Sequence, residues 1–250
     1  MTEAVLDDAG EMPADPAGRP RRQRGFRVFV RDVLVILLIA VVASFLIKTF
    51  LIRSFYIPSE SMVKTLQVDD RIIVNQLEPR FIPIQRGDVV VFTDPGNWLE
   101  PVRVAPQAPL VKAVDTVLGV IGLSAPDSND HLVKRVIGLP GDRVECCDDK
   151  GRLLINGEPI DEPYIELPTT TANASPTDFD ITVPQGSLWV MGDNRDHSGD
   201  SAYHHATDPG REFVPVENVV GRAVLVSWPL PRWSVLDNYA SVFATVPAVR

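Results

Sequence analysis

The sequence predicts a mainly β protein, in which a single N-terminal transmembrane helix is followed by an antiparallel β-barrel-like domain with a small β lobe. Three observations support this class. An apolar stretch without any charge, Val33–Ile47, lies near the N-terminus. The remainder is divided into short β-type runs bounded by Gly, Pro or Asp. The 22 prolines and 16 glycines favour short strands and turns over long helices.

The composition is that of a folded protein and argues against one class of partner. Hydrophobic residues make up 45% and charged residues 23% of the chain, which is ordinary for a globular protein. The formal net charge is -9, whereas nucleic-acid-binding domains are usually basic. We therefore expect no nucleic acid partner.

Residues 1–27 are predicted to be a disordered cytoplasmic tail. Residues 1–18 are rich in Ala, Asp, Glu and Pro and show no apolar periodicity. Six arginines and no acidic residue follow between Arg19 and Arg31. Basic residues in front of a membrane span favour a cytoplasmic N-terminus, so the C-terminal domain is expected outside the cytoplasm.

Residues 28–53 are predicted to form a transmembrane anchor helix, with membrane lipid as a partner. From Val33 to Ile52 the stretch has 20 residues, or about 30 Å of helix, which is enough to cross a bilayer core. A buried core helix is one alternative, but such a helix rarely lacks a polar face over this length. A cleavable signal peptide is another, and the missing small-x-small cleavage site argues against it.

Residues 54–250 are predicted to form the β domain, with the small β lobe over about 141–185. Runs such as GDVVVFTD, SLWVMGD and VVGRAVLVSW have the residue types of strands, and INGEPI predicts a hairpin turn. Residues 97–130 form an insertion, in which 110–123 has apolar residues at helical spacing. A surface helix covering the barrel and a helix resting on the membrane both fit that segment.

The only two cysteines are neighbours, Cys146 and Cys147. A CC pair lacks the CxxC spacing of metal sites, and two cysteines are too few for a disulfide framework. The sequence does not decide whether the two cysteines form a vicinal disulfide, because disulfide geometry is restrictive.

The stretch Tyr56–Leu66, YIPSESMVKTL, places two serines just after the apolar segment. A serine hydroxyl is a weak nucleophile unless a base takes its proton as it attacks. Histidine is the usual base, but no histidine here has an aspartate at a spacing that indicates a triad. The four histidines are His131, His197, His204 and His205.

A lysine can be the base instead when it is uncharged, and burial lowers the pKa of a lysine. Lys134 lies in the apolar run HLVKRVIGL. On a strand, Lys134 and Arg135 point to opposite faces, so one can be buried while the other meets solvent or an acid. An edge-strand lysine that discourages aggregation is the alternative role for Lys134.

Four motifs follow the apolar segment in order: PSESM, RGDVVVF, KRVIGLPGD and GDNRDHSGDS. With this order and topology, the chain resembles the bacterial type I signal peptidases from the anchor helix to about Trp228. These are serine–lysine proteases of the S26 family that remove signal peptides from exported proteins. The resemblance implies a single-pass, membrane-anchored serine endopeptidase. Its substrates would be exported preproteins, cut after small residues at positions -1 and -3, and it would need no cofactor.

The resemblance also implies roles for residues at matching motif positions. Ser61, the second serine of PSESM, matches the nucleophile, and Lys134 matches the general base. Ser59 matches the hydroxyl that forms an oxyanion hole together with the Ser61 backbone N–H. Ser198 matches the hydroxyl that orients the lysine amine. Two further residues, which match a supporting salt bridge, are Asp193 and Arg135.

The chain departs from the family pattern at two positions. Lys64 replaces a proline in the turn after the serines, which affects little more than the rigidity of that turn. Ala202 replaces an arginine two residues after Asp200. Without that arginine, Asp200 is expected to pair with Arg195 or to stay solvated.

The resemblance also implies a substrate cleft with bulky apolar walls near Ser61 and Lys134. Such walls leave shallow pockets for alanine-sized side chains, and an extended substrate along a strand edge would bind mainly through its backbone. Ordinary core packing is the alternative role for the wall residues. They are Phe55, Ile57, Pro58, Met62, Leu66, Ile72, Leu132 and Val133.

We expect no metal site, although one loop contains several oxygen ligands. Asp196, Ser198 and Asp200 alternate as calcium ligands do, but Ser201 occupies a position where such a loop needs glycine. Arg195 adds a positive charge to the same loop.

Two other protein classes share parts of this pattern. Self-cleaving repressors also use a serine and a lysine, but they are soluble, and the apolar helix argues against them. A non-enzymatic, membrane-anchored β domain could bind exported proteins or wall components. Such a domain would not depend on Ser61 and Lys134, so mutation of these residues separates the classes.

Overall fold

A computed structural model of the chain describes residues 22–96, 98–99 and 130–247. The chain divides into two compact units, residues 1–44 and 45–250. Residues 1–21 of the predicted tail lie outside the described residues, and so does the predicted helix at 110–123.

Helix α1 (Arg22–Phe50) begins in the first unit. Its segment Gly25–Phe45 has 21 residues, a mean hydropathy of 2.6 and no burial within the protein, so it is long and apolar enough to cross a membrane. The helix begins six residues before the predicted boundary at 28. The arginines and glutamine of this first turn are good helix formers, and no proline interrupts them.

β-strands are the main regular secondary structure of the second unit within its described residues. Helix α2 (Ser201–Thr207) and two 3-10 turns, Val216–Asn218 and Leu230–Arg232, are its short helical elements. The strands are β1 (Ile52–Tyr56), β2 (Arg71–Asn75), β3 (Val89–Thr93), β4 (His131–Gly138), β5 (Arg143–Cys146), β6 (Leu153–Ile155), β7 (Glu158–Pro159), β8 (Phe179–Thr182), β9 (Ser187–Met191), β10 (Val214–Pro215), β11 (Val219–Trp228) and β12 (Ser234–Val235).

The strands form two sheets in which every pair of neighbouring strands is antiparallel. The large sheet has the order β1-β2-β11-β3-β4-β9-β10, with β12 beside β11. The small sheet has the order β7-β6-β5-β8 and lies within the range 141–185 predicted for the small lobe. The predicted mainly β, antiparallel class is confirmed. In the described residues the large sheet is an open path of strands and not a closed ring.

The middle of the large sheet is buried on both faces. Val89 and Val91 of β3 belong to one hydrophobic cluster, whereas Val90 and Phe92 belong to another. A strand that is covered on both faces has a nearly continuous apolar sequence, as the run GDVVVFTD indicates. β4 lies next to β3 in the sheet, and this position explains why its polar residues are also buried.

Cys146 and Cys147, at the end of β5, are joined by a disulfide. Both cysteines are partly buried and pack against the hydrophobic cluster of the small sheet. The pairing that the sequence left open is therefore a vicinal disulfide.

Candidate active site

The two serines of PSESM lie in a tight turn between β1 and β2. The backbone N–H of Ser61 donates a hydrogen bond of 3.1 Å to Ser59 Oγ. The turn is closed by hydrogen bonds within the chain, including one of 2.7 Å from the Leu66 N–H to the Met62 carbonyl. Met62 and Leu66 are buried in the core, so apolar packing fixes the segment that follows Ser61.

Lys134 lies on β4, opposite Val90 of the central strand β3. Only 3% of its surface is exposed. Burial lowers the pKa of Lys134 from its ordinary 10.5 to about 8, although the carboxylates of Asp200 and Asp193 act in the opposite direction. A substantial fraction of the amine is therefore uncharged at mildly alkaline pH.

Gly192 follows β9 and lies against both Ser61 and Ser198. A Cβ atom on Gly192 would lie 2.5 Å from the Ser61 carbonyl oxygen and 2.3 Å from Ser198 Oγ. Arg135 pairs with Met191 at the end of the β4–β9 pairing, and Lys134 and Gly192 are the chain neighbours of these two residues. The hydroxyl of Ser198 is shielded from solvent and has no hydrogen-bond partner in the described part of the chain, so it can still bond to an amine.

Arg135 and Asp193 form a two-pronged ion pair, with distances of 2.9 and 2.7 Å and no solvent exposure of either side chain. Arg135 also donates to the carbonyl of Gly87 at 2.7 Å. Its guanidinium lies over the ring of Tyr164, 4.0 Å from the ring centre, and Thr65 donates to Asp193. These contacts connect β4 both to the segment after β9 and to the turn after Ser61.

Asp200 has a different environment from the one predicted. Its carboxylate accepts hydrogen bonds from the N–H groups of Ala202 and Tyr203, which caps helix α2, and from the N–H of Gly192 at 2.9 Å. Asp200 is 3% exposed, so the predictions of a pair with Arg195 and of a solvated carboxylate are both wrong. An aspartate just before a short helical segment is a recognisable N-cap signal, which sequence reasoning missed.

Arg195 instead pairs with Glu162 at 2.7 Å, and each side chain is about 1% exposed. The guanidinium also donates to the carbonyls of Gly192 and Ala174. Glu162 lies 33 residues away in the chain, and no local pattern in the sequence indicates this pair.

Asn194 is a second residue that sequence reasoning missed. Its backbone N–H donates to the Ser61 carbonyl at 3.0 Å, and its side-chain Nδ2 donates to the Glu60 carbonyl at 3.2 Å. Asn194 is 8% exposed. Its position inside GDNRDHSGDS was visible in the sequence, but its contact with the serine turn depends on the fold.

The implied wall residues divide into two groups. Pro58 is exposed, and Leu132 and Val133 are half-buried on β4. The other five side chains belong to the core cluster beside β1 and β2 and are at most 3% exposed, so core packing accounts for their burial; they are Phe55, Ile57, Met62, Leu66 and Ile72.

Three histidines, His131, His204 and His205, are half-buried or buried and contact aromatic rings. His131 lies beside Phe55, with 5.1 Å between the ring centres. It is three residues from Lys134 on β4, and residues at that spacing point to opposite faces of a strand. His204 stacks on Trp98 at 4.5 Å, and burial lowers its pKa. Within the described ranges, no group of three or more His, Cys, Asp or Glu side chains could hold a metal ion.

Comparison with known proteins identifies the family. Residues 30–228 match the family model described as signal peptidase, peptidase S26. The chain is 41% identical over 248 residues to a signal peptidase I of Mycobacterium tuberculosis strain H37Rv, with 93% of this chain and 83% of that protein covered. It is 37% identical over 197 residues to a signal peptidase I of Leptolyngbya laminosa, with 78% and 77% covered.

A solved structure of a signal peptidase I from Enterococcus faecalis V583 is 27% identical to this chain, with a TM-score of 0.36. The match covers 56% of this chain and 95% of the solved one. The family match and the sequence relatives each span most of the chain, and they confirm the resemblance drawn from the four motifs. The chain belongs to the signal peptidase family, peptidase S26.

Proposed function

We propose that this chain is a membrane-anchored serine endopeptidase that removes signal peptides from exported preproteins, with Ser61 and Lys134 as a catalytic dyad. Family membership supports the reaction and argues against both a self-cleaving repressor and a non-enzymatic binding domain. The observation that carries the dyad is the buried Lys134, whose pKa is lowered to about 8. Its strand pairs with β9, and Gly192, the residue after β9, lies against the Ser61 turn.

The proposed chemistry begins when the uncharged amine of Lys134 accepts the proton of the Ser61 hydroxyl. The Ser61 oxygen then bonds to the carbonyl carbon of the scissile peptide, and the carbonyl electrons move onto its oxygen. The Ser61 N–H, which donates to Ser59 Oγ at 3.1 Å in the structure, then donates to the oxyanion instead, and the Ser59 hydroxyl donates its own proton to the same oxygen.

Collapse of this intermediate breaks the C–N bond, and the ammonium of Lys134 returns its proton to the leaving amine of the mature protein. A water molecule then attacks the acyl-enzyme ester. Lys134 takes the proton of that water, and the signal peptide leaves with a free carboxylate while Ser61 recovers its proton.

Three residues, Ser198, Arg135 and Asp193, support this arrangement in our proposal. The Ser198 hydroxyl would accept a hydrogen bond from Lys134 and orient the amine, since it lacks another partner in the described residues. The ion pair of Arg135 and Asp193 holds β4 against the segment after β9. Such a pair orients a site more than it stabilises a fold.

The part of β4 that precedes its pairing with β9 supports backbone recognition of an extended substrate. β9 pairs with residues 135–138 of β4, and within the described ranges no named strand lies beside Leu132–Lys134 on that side. A substrate could add there as a strand. Pro58, Leu132 and Val133 would border its side chains. Val133 packs against the cluster of the five buried wall residues, whereas Leu132 packs against the cluster on the other face of the sheet. Bulky neighbours of this kind favour small residues at positions -1 and -3.

The membrane location follows from the sequence in this proposal. The arginines before α1 favour a cytoplasmic N-terminus, which puts the β domain outside and α1 in contact with lipid. Ser61 follows Arg53 by only eight residues. The nucleophile is therefore tethered near the surface where the end of a spanning signal peptide emerges, and confinement to one surface raises the local concentration of enzyme and substrate.

Cleavage of a secretory precursor tests the proposal. The full chain in detergent is incubated with the precursor, and the new N-terminus is mapped by mass spectrometry. We expect one cut after a small residue, with a second small residue at -3, and no cut by Ser61→Ala. Cleavage by Ser61→Ala, or a cut elsewhere in the precursor, would overturn the proposal.

A further inference from the structure

The peptide group between Glu60 and Ser61 determines where the proposed oxyanion donor points. The Ser61 N–H and the Glu60 carbonyl belong to one planar unit and point in opposite directions. Whatever holds the Glu60 carbonyl therefore also fixes the direction of the Ser61 N–H.

Asn194 holds the carbonyls on both sides of Ser61. Its side-chain Nδ2 donates to the Glu60 carbonyl at 3.2 Å, and its backbone N–H donates to the Ser61 carbonyl at 3.0 Å. One residue thus restrains the peptide planes before and after the nucleophile.

Asn194 is itself held firmly. The Glu166 N–H donates to the Asp193 carbonyl at 2.7 Å, and the Arg195 N–H donates to the Glu166 carbonyl at 3.2 Å, so the backbone on both sides of Asn194 is bonded to a second segment. Asn194 is 8% exposed, and the side chains of its neighbours Asp193 and Arg195 are both in buried ion pairs. A fixed donor of this kind can orient a turn instead of following its motion.

We infer that Asn194 is a positioning residue, whose side chain aims the Ser61 N–H at the oxyanion through the Glu60–Ser61 peptide. This role rests on the proposed function of Ser61. Asn194 touches neither substrate nor Lys134 in this scheme, so it affects the stabilisation of the tetrahedral intermediate and leaves the base unchanged.

Asn194→Asp is the most direct test, because it keeps the shape and replaces the donor with an acceptor that repels the Glu60 carbonyl. We expect kcat to fall about 10- to 100-fold, somewhat less than complete removal of an oxyanion donor, and KM to change less than about twofold. A peptide aldehyde that forms a tetrahedral adduct with Ser61 should lose affinity by a factor similar to the loss in kcat. The midpoint of the pH–rate profile should not move in Asn194→Ala, which removes the donor without adding a charge near Lys134.

Asn218→Asp is the matched control, since Asn218 Nδ2 also donates to a backbone carbonyl, that of Thr93 at 3.4 Å, in a different part of the sheet. It should retain kcat and aldehyde affinity. Should Asn194→Asp fail to fold, Asn194→Ala removes the donor without adding an acceptor, and the same two quantities are measured on it.

The outcomes separate this inference from the proposed function. If the unmodified enzyme does not cut the precursor, or if Ser61→Ala cuts it, the proposed function fails. If the unmodified enzyme is active and the Asn194 variants keep kcat and aldehyde affinity, only the role of Asn194 is overturned. A lower melting temperature with unchanged kcat would also overturn it, because that result describes a structural residue.

Discussion

Lys134 and Arg135 are consecutive residues of β4 and both are buried, but only Arg135 has a carboxylate partner within the described residues. Arg135 is held by Asp193 in a two-pronged pair, whereas burial lowers the pKa of Lys134. The same strand therefore keeps one cation charged and allows its neighbour to lose its proton.

The pH dependence of cleavage should report Lys134. The base must be uncharged, so kcat/KM should rise as pH increases through about 8 and level off above it. Lys134→Arg should be as inactive as Lys134→Ala, because a guanidinium stays protonated. Initial rates between pH 6 and 10 provide the measurement. An active Lys134→Arg enzyme would contradict the assignment of the base, and His131 would be the next residue to mutate.

Removing the buried amine should stabilise the protein. A folded-state pKa of about 8 in place of 10.5 corresponds to about 3 kcal/mol of destabilisation when both states are protonated. Lys134→Met has a similar shape and should raise the free energy of unfolding by about that amount below pH 8. The difference should shrink as pH rises from 8 towards 10.5, since the unfolded chain binds more protons in that window. Urea unfolding at pH 6 and pH 10 tests this, and equal stabilities at pH 6 would contradict it.

Ser198→Ala should lower turnover sharply and leave a measurable residual rate. The hydroxyl is expected to orient the Lys134 amine and not to react, so loss of orientation reduces kcat by about 10- to 100-fold. Precursor cleavage by purified enzyme at several substrate concentrations separates kcat from KM. An unchanged kcat would remove Ser198 from the site.

Gly192→Ala should inactivate the enzyme by displacing two groups at once. The new Cβ would lie 2.3 Å from Ser198 Oγ and 2.5 Å from the Ser61 carbonyl, so one of them must move. A displacement of about 1 Å commonly reduces activity about 100-fold. Gly96→Ala is the control, because no atom of the described residues lies within 4 Å of its added Cβ. Equal activity of the two variants would show that the space around Gly192 is wider than the structure indicates.

The orientation in the membrane can be measured by cysteine labelling of intact cells. A membrane-impermeant maleimide should reach Thr170→Cys and not Gly10→Cys, because the arginines before α1 favour a cytoplasmic N-terminus. Permeabilised cells should label both positions, which confirms that each probe reacts. The reverse pattern in intact cells would place the β domain in the cytoplasm and exclude exported preproteins as substrates.

The features that follow from local sequence were predictable, and those that join distant segments were not. The apolar helix and the antiparallel strands follow from length and alternation, and the burial of Lys134 follows from its apolar strand. The Asp200 cap also has a local signal, an aspartate before a short helical segment, but we expected this aspartate to pair with Arg195 or to be solvated. The pair of Arg195 with Glu162 depends on how the loop between β7 and β8 folds back onto the segment after β9, and no spacing in the chain indicates that path.

The carboxylate of Asp200 joins the two ends of the loop that carries Ser198. It accepts from the N–H of Gly192 at the start of this nine-residue loop and from the first turn of α2 just after its end. Closing a loop lowers its conformational entropy, and here this entropy is lost during folding. A substrate or inhibitor that binds beside Ser198 therefore meets a loop that is already ordered, and its affinity is not reduced by ordering that loop.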